Sequence, residues 1–103
     1  MTLRWTPEAT QQLAAISAYV SKDNPASARA QVLQIVARAE SLVFPPLLGR
    51  VVPELNNFAI RELLERPYRI IYTLIDDEPW VLSVWHYRRL LKFADVQKLL
   101  NLC

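Results

Sequence analysis

His86 is the one side chain in this sequence whose unperturbed form changes charge near neutrality, which suits it to give or take a proton. Arg69 is a guanidinium set inside an apolar run, Tyr68-Arg69-Ile70-Ile71-Tyr72, and its planar fork can grip two oxygens of one anion. Arg61 and Arg88 could add charge around such a pair, and Tyr87 an aromatic face. This chemistry works only if Arg69 and His86 are neighbours, so the elements that carry them matter first.

Both lie in the stretch Arg61–Arg89. Two runs rich in Ile, Val, Tyr and Trp, Tyr68–Ile75 and Trp80–Tyr87, flank the polar tetrapeptide Asp76-Asp77-Glu78-Pro79. β-branched and aromatic residues suit a pleated surface, so the stretch is predicted to be a β-hairpin with those four residues as its loop. That loop sets Ile75 opposite Trp80 and Arg69 opposite His86, with Tyr68 opposite Tyr87. A bulge or a different loop length would shift the register by one and move side chains between faces.

The rest of the chain has to hold this hairpin. Leu3-Arg4-Trp5 reads as a short edge strand. Thr6-Pro7-Glu8 is a helix start, with an N-cap, a proline at the first helical position and an acid in the first turn. Ala9, Leu13, Ile16 and Val20 then recur on one helical face. Asn24-Pro25 starts a second helix, whose stripe is Ala28, Val32, Ile35, Ala39 and Leu42, and the two helices should form an antiparallel hairpin. Pro45 and Pro46 stop it, and Gly49, the only glycine, is expected at a position of positive φ. Val51–Asn57 reads as loop with at most a short extended piece, Ala59–Glu65 as a strand, and Leu90–Leu102 as a short helix with Phe93, Val96, Leu100 and Cys103 as its stripe.

The predicted fold is α+β: an N-terminal strand, a helical hairpin, a three-stranded antiparallel meander covered on one face by helices, and a short C-terminal helix. The second face of that sheet is expected to stay free for a ligand.

With 103 residues, 52% hydrophobic and 21% charged, the chain should form a single domain over residues 1–103 with a true core. No apolar run reaches the roughly 20 residues of a membrane span, there is no signal-peptide pattern, and the one cysteine cannot build a disulfide framework. A cytoplasmic protein without membrane association is expected. One His and one Cys offer no metal-ligand set, and nothing in the sequence calls for a cofactor. A net charge of +2 does not by itself announce nucleic-acid binding, although Trp85–Lys92 holds Arg88, Arg89, Lys92 and His86 without an acid.

Six segments in order resemble the RelE/ParE superfamily of type II toxin–antitoxin toxins, closest to its ParE or plasmid-stabilisation branch. They are Arg4-Trp5-Thr6-Pro7-Glu8-Ala9, Asp23-Asn24-Pro25, Phe44-Pro45-Pro46-Leu47-Leu48-Gly49-Arg50, Arg61-Glu62-Leu63, Tyr68-Arg69-Ile70-Ile71-Tyr72 and Val84-Trp85-His86-Tyr87-Arg88-Arg89. The resemblance implies a bacterial growth inhibitor neutralised by a cognate antitoxin. It also divides the target between DNA gyrase, for ParE-like members, and ribosome-bound mRNA, for RelE-like mRNA interferases.

RNA cleavage through the 2′-hydroxyl needs a base, cations for the developing phosphorane charge and an acid for the leaving oxygen. Arg69 and His86 match positions where RNA-cleaving relatives carry an arginine and a histidine. Arg61 or Arg88 could supply charge there, and Tyr87 could stack on a base. If the chain is an enzyme, the resemblance makes it a metal-independent endoribonuclease. Against this stand a carboxylate base that neither Glu54 nor Glu62 clearly supplies and the absence of a lysine cluster, since the only lysines are Lys22, Lys92 and Lys98. A structural reading stands beside this one: Arg69 in an ion pair with Glu62, and His86 as a packing residue. The preferred reading is gyrase inhibition; mRNA cleavage is the alternative, and a non-toxic antitoxin-binding module the third.

Overall fold

The computed structural model describes residues 3–43, 49–53, 59–87 and 93–101. Its elements are β1 (Arg4–Trp5), α1 (Pro7–Ser21), α2 (Pro25–Glu40), a 3₁₀ turn (Ser41–Val43), β2 (Arg50–Val51), β3 (Ile60–Glu65), β4 (Tyr68–Ile75), β5 (Glu78–His86) and α3 (Phe93–Leu100). The α+β architecture is the expected one, with a sheet larger than the three-stranded meander: five strands in the order β1-β5-β4-β3-β2. β3, β4 and β5 form the antiparallel meander, β2 adds antiparallel to β3, and β1 lies parallel to β5, so the sheet is mixed.

Both helix starts are built as their sequences dictate. Thr6 sits in extended conformation and its Oγ1 accepts from the Ala9 N–H at 3.1 Å, with Pro7 following. Asn24 does the same for α2, its Oδ1 accepting from the Ser27 N–H at 3.1 Å. Thr6 is also buried, and it fastens α1 to the sheet: its hydroxyl donates to the Leu82 carbonyl and its N–H to the Val81 carbonyl, each at 3.0 Å. A second fastener is Gln12, whose Oε1 accepts from Ser83 Oγ and from the Val84 N–H, both at 2.7 Å. β1 pairs only with Trp80 and Val81, so the side chain of α1 supplies the acceptor that a longer β1 would have offered at Val84.

The predicted stripes meet one sheet face. Ala9, Ile35, Ala39 and Leu42 pack with Leu63, Tyr68, Ile70, Tyr72, Val81 and Val84, and Leu13 and Ile16 lie against them. Val20 and Val32 are only half-buried. Fully burying an aliphatic side chain such as Ile35 or Leu42 contributes about 1.5–3 kcal/mol, and these contacts hold the helical hairpin to the sheet.

The hairpin differs from its prediction in loop and register. The loop is two residues, Asp76 and Asp77, both in the left-handed region at φ 51° and 65°, and Glu78 and Pro79 already belong to β5. Positive φ at both central residues is the turn geometry that matches strand twist in tight hairpins, and Asp tolerates it better than most side chains. Pairing runs from Ile75 opposite Glu78 to Tyr72 opposite Val81. It then shifts at a bulge that leaves Leu82 unmatched, and resumes with Ile71 opposite Ser83. As a result Arg69 faces Trp85, and His86 faces Tyr68.

Two other expectations are corrected. Gly49 is not at positive φ; glycine is required there by space, because a Cβ would lie 2.4 Å from the Glu62 carbonyl oxygen and 2.7 Å from the Tyr72 ring. The second sheet face is not free either, since Val52, Ile60, Ile71 and Trp85 form a buried cluster on it, with Glu62, Arg69 and Thr73 buried alongside. Phe44–Leu48, Glu54, the basic residues Arg88, Arg89 and Lys92, and Cys103 lie outside the described residues, as do the side chains of Phe93, Val96 and Leu100.

Candidate functional site

The site grows from one buried carboxylate. Glu62, on β3, is opposite Arg50 of β2 and diagonal to Arg69 of β4, which itself faces Leu64. Side chains on neighbouring strands that share a face come within reach of one another, so this register gathers all three polar groups. Arg69 Nε donates to Glu62 Oε1 at 2.6 Å, and Arg50 Nε donates to Oε2 at 2.8 Å. The Glu62 and Arg69 side chains are 0% and 6% exposed, whereas Arg50 is 59% exposed. A charge taken out of water needs this kind of compensation, and the half-solvated Arg50 contributes less than the enclosed Arg69.

Above this group, a cleft of about 650 Å³ opens at the end of the sheet. Arg50, Arg69 and Arg66 line it together with Leu64, Pro67, Tyr68 and Tyr87. Arg66 and Pro67 form the β3–β4 turn, joined by a cis peptide, and the Tyr87 N–H donates to the Pro67 carbonyl at 2.8 Å, which ties the end of β5 to that turn. Tyr87 is 51% exposed and Leu64 38%, both large for apolar groups that no neighbour covers fully. No carboxylate among the described residues lines the cleft.

Aromatic rings continue from it. Tyr87 stacks on His86 with centroids 4.9 Å apart, and His86 meets Tyr68 edge-on at 5.7 Å. Burial raises the Tyr68 hydroxyl above its usual pKa, and repulsion from an ionised Tyr19 adds to the shift. The Tyr72 hydroxyl is likewise raised by burial, against the lowering influence of the Gly49 N–H, which donates to it at 2.8 Å, and of the Arg61 charge.

The five residues singled out from sequence therefore separate. Arg69 and Tyr87 share the cleft. His86 is opposite Tyr68 in the strand register, not opposite Arg69. Arg61 is elsewhere, with Nη1 donating to the Gly49 carbonyl at 3.0 Å, and Arg88 lies outside the described residues. Arg50 and Arg66 were not anticipated. Arg50 could have been found only by knowing that β2 pairs with β3, and Arg66 only by knowing that its turn closes one end of a cleft. The assembled chemistry is anion binding: three arginines line one cleft, and the imidazole packs against two of its aromatic lining residues, Tyr68 and Tyr87.

No helix among the described residues is long and apolar enough to cross a membrane. No curated protein matches the chain. It is similar to a chain in a solved structure of the chromosomal ParDE TA system from P. aeruginosa, at 29% identity and a TM-score of 0.70, over 84% of this chain and 95% of that one. Residues 3–91 match the family described as the ParE toxin of the type II toxin–antitoxin system parDE. With that match running from β1 through the cleft and past the end of β5, the chain belongs to the ParE toxin family within the RelE/ParE superfamily.

Proposed function

We propose that this chain acts in the bacterial cytoplasm as a ParE-like toxin that inhibits growth through DNA gyrase and is neutralised by a cognate antitoxin. The observation that carries the choice of target is the engagement of Arg69 with Glu62. General acid–base cleavage of RNA needs its proton-transfer group and its phosphate clamp around one reacting phosphate. A guanidinium holding a buried carboxylate is committed to the fold, and in the strand register His86 is opposite Tyr68 rather than Arg69, so the two are not set face to face. An inhibitor that works by binding needs no such constellation. Exposed Leu33, lining a shallow groove of about 420 Å³ between α1 and α2, supplies apolar surface for a partner protein.

The alternative, ribosome-dependent mRNA cleavage, draws on the basic cleft with Tyr87 at its rim. Purified toxin added to DNA gyrase and supercoiled plasmid separates the two, run beside induced expression without antitoxin and a readout of mRNA integrity. The gyrase reading expects blocked supercoiling, intact mRNA and toxicity indifferent to His86→Ala. Rapid mRNA cleavage that His86→Ala abolishes would transfer the function to the nuclease reading. A strain that grows normally would leave a binding module only.

A further inference from the structure

Three arginines meet at the sheet-end cleft, and only one has a structural assignment deep in the protein. Arg69 is enclosed and serves Glu62. Arg50 gives its Nε to the same carboxylate, yet most of its side chain remains in solvent, and Arg66 is exposed at the β3–β4 turn. Among the described residues, Glu62 supplies the one carboxylate paired with Arg50 and Arg69 here, so these residues carry a surplus of positive charge. Between the charges stand Leu64, Pro67 and Tyr87, of which Leu64 and Tyr87 remain substantially exposed.

We propose that this cleft docks an acidic segment of the antitoxin, with carboxylates on Arg50 and Arg66 and an apolar side chain of the same segment against Leu64, Pro67 and Tyr87. The proposal rests on the reading of the chain as an antitoxin-controlled toxin, and adds where and by what chemistry the partner is held.

Charge and shape favour a peptide over a nucleic acid. A polyanion is held by a track of cations that meets phosphate after phosphate, and binding of that kind accompanies a strongly basic domain. Here the whole chain carries only +2, and the described arginines Arg50, Arg66 and Arg69 share one cleft of about 650 Å³. Four of the seven lining residues, Leu64, Pro67, Tyr68 and Tyr87, are apolar or aromatic, a surface that a phosphate backbone would leave uncovered and a Leu or Phe beside an Asp or Glu would fill. Arginine and tyrosine in a concave, partly apolar setting are also the residue types that dominate binding energy in protein interfaces. The Tyr87 N–H bonded to the Pro67 carbonyl holds two walls of the cleft together before any partner arrives, which lowers the ordering cost of binding.

The test measures affinity of the purified toxin for its cognate antitoxin by titration calorimetry, for the wild type, Arg66→Glu and Tyr87→Ala, at two salt concentrations. Both substitutions fall on exposed side chains, and circular dichroism with a thermal melt checks that each variant is folded. The expected result is a loss of affinity of about tenfold or more for each variant. Arg66→Glu should also flatten the salt dependence. An antitoxin whose Asp and Glu in the bound segment are changed to Asn and Gln should lose affinity for the wild type and lose little further for Arg66→Glu. Antitoxin binding that is unchanged in both folded variants would overturn this site and leave the toxin reading standing. No binding by the wild type would overturn that reading and this one with it. A labelled oligo(U) that binds the wild type tightly and competes with the antitoxin for Arg66 would replace the acidic segment by single-stranded RNA.

Discussion

Arg69 donates from Nε to Oε1 of Glu62 across 2.6 Å, and neither side chain is more than 6% exposed. Breaking a buried ion pair from one side is far more costly than replacing both partners, because the survivor keeps its desolvation penalty. Glu62→Ala and Arg69→Ala should therefore each lower unfolding stability by roughly 3–5 kcal/mol. The double variant Glu62→Leu/Arg69→Met should be less destabilised than the sum of the single ones. Urea denaturation at neutral pH measures all of these. Additive losses would mean that the two groups do not depend on each other. A practical consequence is that loss of toxicity in Arg69→Ala has a folding explanation unless the variant is shown to be native.

Gly49 and Tyr72 are coupled in a similar way, through space and one hydrogen bond. The Gly49 N–H donates to the Tyr72 hydroxyl at 2.8 Å, and a Cβ on residue 49 would fall 2.8 Å from that same oxygen and 2.4 Å from the Glu62 carbonyl oxygen. Backbone cannot yield as a flexible side chain does, so Gly49→Ala should cost about 1–3 kcal/mol by overpacking. Tyr72→Phe keeps the ring and removes only the acceptor, leaving a buried N–H unsatisfied at a cost of roughly 1–3 kcal/mol. Thermal melts of both single variants check this. A Gly49→Ala protein as stable as the wild type would mean the loop re-forms away from the sheet.

Stability should fall at alkaline pH through the same tyrosines. Burial raises the hydroxyls of Tyr68 and Tyr72 above the ordinary value of about 10. Above that value the unfolded chain releases protons that the folded chain retains, so the folded state binds more protons and loses stability with rising pH. The contribution is complete below about pH 10 and is lost as pH rises through the folded-state values. Denaturant midpoints measured from pH 8 upward should decline beyond pH 10, and Tyr72→Phe should reduce the slope of that decline while lowering stability at every pH. An unchanged slope in Tyr72→Phe would assign the alkaline loss elsewhere.

What could be read in advance follows from how far apart the deciding residues are. Thr6-Pro7 and Asn24-Pro25 cap helices through bonds to residues three positions on, so the helical hairpin was open to reading from its own segment. The α+β layout followed from the order of segments. Register was not open in this way. It depends on the bulge at Leu82, where the unmatched residue and its neighbour give their carbonyls to Thr6 from another element. One slipped residue moved His86 away from Arg69, and with it the proposed catalytic pair. Arg69 with Glu62 was recognisable because the two lie on adjacent predicted strands. The cleft was not, since it needs β2, the β3–β4 turn and the end of β5 together.

The turn itself offers the last prediction. Asp76 and Asp77 both hold positive φ, a conformation that costs an ordinary L-residue roughly 1–2 kcal/mol and glycine almost nothing. Two adjacent carboxylates at the tip also repel each other. Asp76→Asn with Asp77→Gly keeps a two-residue turn, removes both charges and supplies the residue pair that favours this geometry. The double variant should gain about 0.5–1 kcal/mol. Because the pair lies at the opposite end of β4 and β5 from the cleft, antitoxin affinity should stay unchanged. Chemical denaturation and titration calorimetry on the same preparation read the two effects independently. A stabilised hairpin with altered affinity would show that the turn end of the sheet also takes part in binding.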